Sequence, residues 1–349
     1  MKQGRFDLLP ADRRRVRLSL PLLACFIAGW LASMSCQQQP ERFARLAVFR
    51  QACSELLGER AGTILVMQPR TGLLLALINE KLGVQNATRP GSTFKVVTAL
   101  SLLQHGLLDP EEQLLCEGQI KLGGEDYQCW LRSGHGQQNL LQALANSCNI
   151  YFYRAAQKLP AGALTETARK LRLAGRTGIN LPEEAAGQLP EWVSPAEGVR
   201  FAVGHSRALA VTPLQMLQLV AMFANEGAVY RPFYPASAAA LQQFKPELVQ
   251  TIQFGRELSL VREGMRQSVA YGTGAGARRE EVQIAGKTGT AAEYFGAKTN
   301  GWFMGFAPAD KPEVAVVVFL QEAQGAQDAA PLAGRVLQRY FEFHQAGEF

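Results

Sequence analysis

The chain has 349 residues, 47% of them hydrophobic and 19% charged, enough apolar side chain for a large buried core and too little charge for a disordered polypeptide. Its net charge of +6 is not a nucleic-acid footprint, because residues 1–17 hold Lys2, Arg5, Arg13, Arg14, Arg15 and Arg17 against Asp7 and Asp12, which leaves +2 for everything after them.

Directly after Arg17, Leu18 to Met34 run for 17 residues without a charge, interrupted by Pro21 and Gly29. A basic flank followed by an apolar run is the layout of a secretory signal or signal anchor, with the bulk of the chain exported. The run sits at the short end of the roughly 17 to 25 residues that span a bilayer, so a cleaved leader and a retained inner-membrane anchor both fit. Cys36 follows Ser33-Met34-Ser35, a lipoprotein-like position that lacks the usual leucine three residues before the cysteine. The expected organisation is a basic stub and leader over 1–36, a linker or first helix over 37–61, and a folded domain over 62–349.

Thr63 to Met67 and Leu73 to Ile78 read as strands around the turn Gln68-Pro-Arg-Thr-Gly72. Residues 92 to about 230 carry mostly helical patterning, including Leu140 to Leu159 and, after the N-cap signal Thr212-Pro213, a helix to Asn225. Val282 to Thr290, Gly301 to Ala307 and Val314 to Leu320 read as three more strands, and residues from about 329 to 342 as a closing helix. Strands supplied by both ends of the domain with helices between them predict an α/β (α+β) fold: one mixed, mainly antiparallel five-stranded sheet flanked by helices, with an all-helical subdomain beside it.

Three segments carry chemistry: Ser92-Thr-Phe-Lys95, Ser147-Cys-Asn149 and Lys287-Thr-Gly-Thr290. Ser and Lys three apart at a helix start put a hydroxyl and an amine on one face, a nucleophile beside its base. Taken singly, Lys95 reads as a partner for a carboxylate and Ser147 as a helix cap. Ser147 lies 55 residues after Ser92, and Lys287 lies 140 after Ser147; this ordered triple is the signature of penicillin-binding proteins and serine β-lactamases.

Cys116 and Cys129 bracket a Gly-rich segment. In an oxidising compartment they read either as a disulfide closing a short loop, worth about 3 kcal/mol, or as two unpaired small hydrophobes. His105, His135, His205 and His344 show no ligand spacing with the cysteines, so no metal and no cofactor are expected. Cys148 is expected to pack and not to react, and His135 to bond a loop near the second motif.

From about Gly62 onward the sequence resembles the transpeptidase domain of class B, monofunctional penicillin-binding proteins. Gly134-His-Gly136, Gly178-Ile-Asn-Leu-Pro-Glu183, Val211-Thr-Pro-Leu-Gln215, Tyr271-Gly-Thr-Gly274 and Gly301-Trp-Phe-Met-Gly-Phe306 look like landmarks of that family, whereas Gly204-His-Ser206 departs from its more usual Gly-Gln-Gly. The resemblance implies a D,D-transpeptidase in which Ser92 attacks a D-Ala-D-Ala stem peptide and Lys95, made neutral by burial and by the neighbouring Lys287, takes its proton. It further implies that Ser147 relays a proton to the leaving amine and Asn149 bonds the substrate amide. Lys287, Thr288 and Thr290 would hold the substrate carboxylate, and the backbone N–H groups of Ser92 and Thr290 would form the oxyanion hole. Gly289 is expected to be small so that the substrate can lie against the edge strand.

No E-x-x-L-N element lies between Asn149 and Lys287, and the second motif is neither S-x-V nor Y-x-N. β-Lactams are therefore expected to acylate Ser92 and stay. A D,D-carboxypeptidase or weak β-lactamase, and a non-enzymatic penicillin-binding sensor or scaffold, are the competing readings. Implied partners are peptidoglycan stem peptides, β-lactam antibiotics, the membrane through the N-terminal segment, and cell-wall synthesis proteins. Because only the 25 residues 37–61 separate leader from first strand, a free-standing domain positioned by its leader or by partners is expected.

Overall fold

The computed structural model describes residues 40–191, 194–292 and 298–346. The basic stub and apolar leader of residues 1–36 lie outside the described residues.

Helix α1 (residues 40–57) precedes β1 (Gly62–Met67) and β2 (Leu74–Ile78), and the short α2 (Glu80–Val84) follows. A 3-10 turn, Gly91–Phe94, runs directly into α3 (Lys95–Gln104). Then come β3 (Leu114–Cys116), β4 (Gln119–Leu122), β5 (Glu125–Gln128), β6 (Gly136–Gln138), α4 (Leu140–Ala145), α5 (Asn149–Ala156), α6 (Ala163–Lys170), α7 (Pro195–Ala202) and α8 (Pro213–Ala224). The remainder is β7 (Ala228–Tyr230), α9 (Ala238–Gln243), β8 (Leu248–Thr251), α10 (Arg256–Ala270), β9 (Ala285–Ala292), β10 (Thr299–Ala307), β11 (Val314–Leu320) and α11 (Ala330–Gln345).

The main sheet has the order β2-β1-β11-β10-β9, every neighbour antiparallel. β11 reads VAVVVFL without a polar residue because both of its faces are buried. Ala315, Val317 and Phe319 join Leu65, Met67, Trp302, Met304 and helices α3, α5 and α8 in one core, while Val314, Val316, Val318 and Leu320 join Ile64, Val66, Phe303 and helices α1 and α11 in the other. The period-two alternation of a strand thus assigns successive residues of one apolar run to opposite layers.

One expectation needs correction. The helical region is not all-helical: β3 pairs with β6 and β4 with β5, forming two antiparallel ribbons over residues 114–138 where the Gly-rich segment had no assigned structure. Of the two readings of the segment before β1, linker or first helix, residues 40–57 form the helix, with Phe49 fully buried edge-on to Tyr340 and Phe343 of α11, and Arg50 donating to the carbonyls of Leu75 and Pro235. The Val211 to Gln215 landmark is a capping box: the Thr212 hydroxyl accepts from the Gln215 N–H, the Gln215 side chain accepts from the Thr212 N–H, and Pro213 occupies the first turn.

Phe49→Ala is expected to cost about 3 to 5 kcal/mol by emptying the α1–α11 interface, read as a lowered midpoint in urea unfolding.

Candidate active site

β9 is an edge strand of the main sheet, and the 3-10 turn carrying Ser92 packs directly against it. The approach is backbone on backbone. Gly91 (φ 55°) donates its N–H to the Gly204 carbonyl at 3.1 Å, and a Cβ on Gly204 (φ 78°) would lie 2.0 Å from the Gly91 oxygen. Both positions need the left-handed region that glycine enters freely. The departure at Gly204-His-Ser206 falls on the two following residues and leaves this constraint in place.

A Cβ on Gly289 would sit 2.5 Å from the Pro90 carbonyl oxygen and 2.9 Å from Thr93 Cγ2. Its smallness serves the contact between β9 and the Ser92 turn, a packing reason that the local sequence does not show.

Ser92 is half-buried, one turn before Lys95, whose backbone N–H donates to the Ser92 carbonyl. Lys95 is fully buried on α3. Its Nζ donates to the Ser147 carbonyl at 2.7 Å, to Ser147 Oγ at 3.3 Å and to Asn149 Oδ1 at 2.6 Å, and it lies 5.7 Å from the centre of the Phe152 ring. Burial pushes the Lys95 amine down to about 8, opposed in part by Cys148, Cys129 and Cys116. Lys287, also fully buried, is held well below the usual amine range by burial and then by its repulsion with the Lys95 charge, an interaction that disfavours both amines being protonated together.

Ser147 occupies the tight turn between α4 and α5 with φ 53°, a strained conformation for a residue with a Cβ, of the kind that concentrates at functional sites. Asn149 opens α5, with its Oδ1 taken by Lys95 and its Nδ2 donating to the Gln128 carbonyl at 3.3 Å. One lone pair on Oδ1 and one N–H on Nδ2 remain beyond these bonds.

On β9, Lys287 Nζ donates to the Thr288 carbonyl at 3.1 Å. The Thr290 hydroxyl accepts from the Gly325 N–H at 3.0 Å, which leaves its own proton to point at a ligand. Thr288 Oγ1 meets Thr273 Oγ1 at 2.7 Å, and the Thr273 N–H donates to the Ala145 carbonyl at 3.0 Å. Thr273 thus ties the third motif to the loop that carries the second. It stands in the Tyr271 to Gly274 landmark, to which the sequence attached no role. Trp130 and Tyr271 expose their rings beside that same loop, Trp130 donating to the Asn146 carbonyl at 3.0 Å.

The Cys116–Cys129 disulfide is not formed: both are free thiols, as are Cys53 and Cys148. Although the histidines show no ligand spacing with the cysteines along the chain, His135 Nδ1 faces Cys116 Sγ at 3.6 Å and Cys129 Sγ at 3.5 Å. Folding the two ribbons back on α5 brings together residues whose linear spacing carries no ligand pattern.

A hydroxyl at a helix entrance, a buried amine of lowered basicity and an edge strand with a lysine are the groups that serine acyl transfer needs, set here on a two-layered, five-stranded scaffold. The family model for the penicillin binding protein transpeptidase domain matches residues 62–339, and the chain belongs to that family. It is 30% identical over 342 residues to the peptidoglycan D,D-transpeptidase MrdA of Acinetobacter baumannii, covering 80% of this chain and 50% of that protein. It is 29% identical to stage V sporulation protein D of Bacillus subtilis, covering 75% and 43%. The chain therefore spans about half the length of these curated relatives. Among solved structures, Pseudomonas aeruginosa PBP2 in complex with WCK 5153 superimposes with a TM-score of 0.74 at 26% identity, covering 84% of this chain and 76% of that one.

Gly289→Ala is expected to push the Ser92 turn off β9 and slow acylation by a labelled penicillin about 100-fold, with far-UV circular dichroism unchanged.

Proposed function

We propose that this chain is a peptidoglycan D,D-transpeptidase working through an acyl-enzyme on Ser92. The observation that carries the reading is the dry, hydrogen-bonded Lys95 amine one turn from Ser92. With its basicity lowered to about 8, roughly a tenth of Lys95 is neutral at pH 7, against about four in ten thousand for an ordinary lysine.

Ser92 Oγ attacks the carbonyl of the penultimate D-Ala while neutral Lys95 takes the hydroxyl proton. The oxyanion collects against the backbone N–H groups of Ser92 and Thr290. Collapse breaks the peptide bond and the departing D-Ala amine receives a proton through Ser147, which Lys95 Nζ already contacts. An acceptor amine then attacks the ester, giving its proton back along the same path and restoring the Ser92 hydroxyl. Lys287, Thr288 and Thr290 hold the terminal carboxylate of the stem peptide, whose negative charge favours a protonated Lys287.

β-Lactams present the same carboxylate and a strained amide, and the retained ring fragment blocks the acceptor. We further place the domain outside the cytoplasmic membrane, facing the cell wall, with residues 18–34 as leader or anchor and cell-wall synthesis proteins as partners. A solved peptidoglycan synthase complex that coordinates polymerization and crosslinking has the same fold at 25% identity and a TM-score of 0.70.

Incubation with a labelled penicillin, and separately with a D-Ala-D-Ala peptide plus an amine acceptor, is expected to place the adduct on Ser92 by mass spectrometry and to yield transferred product in excess of hydrolysed product. Rapid release of the penicilloyl group would instead make the chain a β-lactamase. Ser92→Ala abolishes the adduct, and Lys95→Ala slows it by about 100- to 10,000-fold. Lys95→Arg does not rescue, because a guanidinium stays protonated.

Since Lys95 is a base only when neutral, the acylation rate is expected to rise with pH and level off above about 8. A rate that falls across that range, in a stopped-flow pH series, would remove Lys95 as the base.

A further inference from the structure

The segment leading into the nucleophile runs along β9. Arg89 donates to the Ala292 carbonyl at 2.7 Å, a Cβ on Gly91 would lie 2.7 Å from the Thr290 oxygen, and Gly289 faces the Pro90 carbonyl. A second segment is fastened to the first: the Thr88 and Val211 backbones bond in both directions at 3.0 and 2.9 Å, and the Gly91 N–H reaches the Gly204 carbonyl at 3.1 Å. His205 follows Gly204 directly, so the departure from Gly-Gln-Gly sets an imidazole beside the Ser92 turn.

Arg89 is half-buried and has no carboxylate partner among the described residues, and the Ala292 carbonyl occupies only one of its N–H groups. His205 is exposed, and its ring has no hydrogen-bond partner among the described residues. The surrounding protein, and then the positive charges of Lys95 and Arg89, push its imidazole down to about 4, so the ring is neutral at pH 7. The acid that touches this loop, Glu197, is taken up by the Arg207 N–H and by Arg200.

The acyl-transfer roles give the substrate a direction along the strand. With its terminal carboxylate held back toward Lys287 and Thr288 and its reacting carbonyl at the Thr290 N–H, a stretched stem peptide continues toward Ala292. At about 3.3 Å per residue, the side chain of the residue before D-Ala-D-Ala falls about 7 Å past Thr290, where Arg89 is anchored. We propose that Arg89 and His205 bind that side chain and select one ending in a carboxylate, as in a diamino dicarboxylic acid, over one ending in an amine. Arg89 takes the carboxylate on its guanidinium fork and His205 donates its ring N–H, whereas an ammonium meets like charge. The direction of the peptide rests on the acyl-transfer reading above; the cationic character of the site does not.

Three peptides test the subsite, alike except that the side chain before D-Ala-D-Ala ends in a carboxylate, an amide or an amine. Full-length Ser92→Ala protein in detergent, which cannot turn over, is expected to bind them in that order by calorimetry, the carboxylate about 10- to 100-fold tighter than the amide. Wild type is expected to show the same order in kcat/KM for acyl transfer. Arg89→Gln should bring both ratios close to one, and Arg89→Glu should favour the amine peptide over the carboxylate. Because Arg89 also anchors Ala292, Arg89→Lys is the folding control: it keeps the charge and should retain a preference for the carboxylate. His205→Ala should reduce that preference about 3- to 10-fold. Equal binding of the three peptides, or a preference that survives Arg89→Gln, overturns the subsite. If wild type reacts with labelled penicillin in that case, acyl transfer stands without it. Wild type unreactive toward penicillin, with an Arg89-dependent preference in binding, supports the subsite and counts against the proposed function.

Discussion

The arrangement depends on keeping one amine dry. Lys95 sits where an ammonium ion is costly, and the structure offsets that cost with a carbonyl, a hydroxyl and an amide oxygen supplied by the Ser147 turn and Asn149. Each neighbouring element serves this burial. α3 is apolar on almost every side because it runs through the core, and the two helices that flank the second motif converge so that their shared turn can reach Nζ. Strain at Ser147 is the counterpart, held in place by the Cys148 N–H on the Ala143 carbonyl and the Ser147 N–H on Leu144.

The sheet supplies the second half of the site by being closed from both ends of the domain. β1 lies beside β11, which places β9 at the far edge with one row of backbone groups not taken up by another strand. The Ser92 turn fills part of that edge, and Thr273 and Gly325 fix the two threonine hydroxyls of the third motif. The third motif is thus gripped from two independent segments before any ligand arrives.

Much of this was legible in the sequence, for reasons that differ by residue. Ser92 with Lys95, and Ser147 with Asn149, are short-range pairs whose relation follows from helix and turn geometry. The sheet was legible because β11 and β10 are long unbroken apolar runs. Three things were not. The reason for Gly289 lies in Pro90 and Thr93, about 200 residues away, and no local pattern records that approach. The lowered basicity of Lys95 comes first from burial, which was expected from the role the residue must play, but motif spacing does not encode which carbonyl, hydroxyl and amide oxygen surround the amine. The Cys116, Cys129, His135 and Cys148 cluster follows the path of the two ribbons: the β4–β5 hairpin does carry its signal, Gly123-Gly124 between short alternating strands, but β3 and β6 pair across 19 intervening residues with no local pattern to announce it.

The interlock of Gly91, Gly204 and Gly289 bears on how such a cleft can evolve. Each of these positions meets main-chain oxygen, so no compensating side-chain change nearby makes room for a larger residue. Room for change lies instead at solvent-facing side chains beside the second-motif loop, such as the exposed rings of Trp130 and Tyr271. The floor of the cleft is closed to that kind of drift, and the adaptive history of the domain should be written in its outer wall.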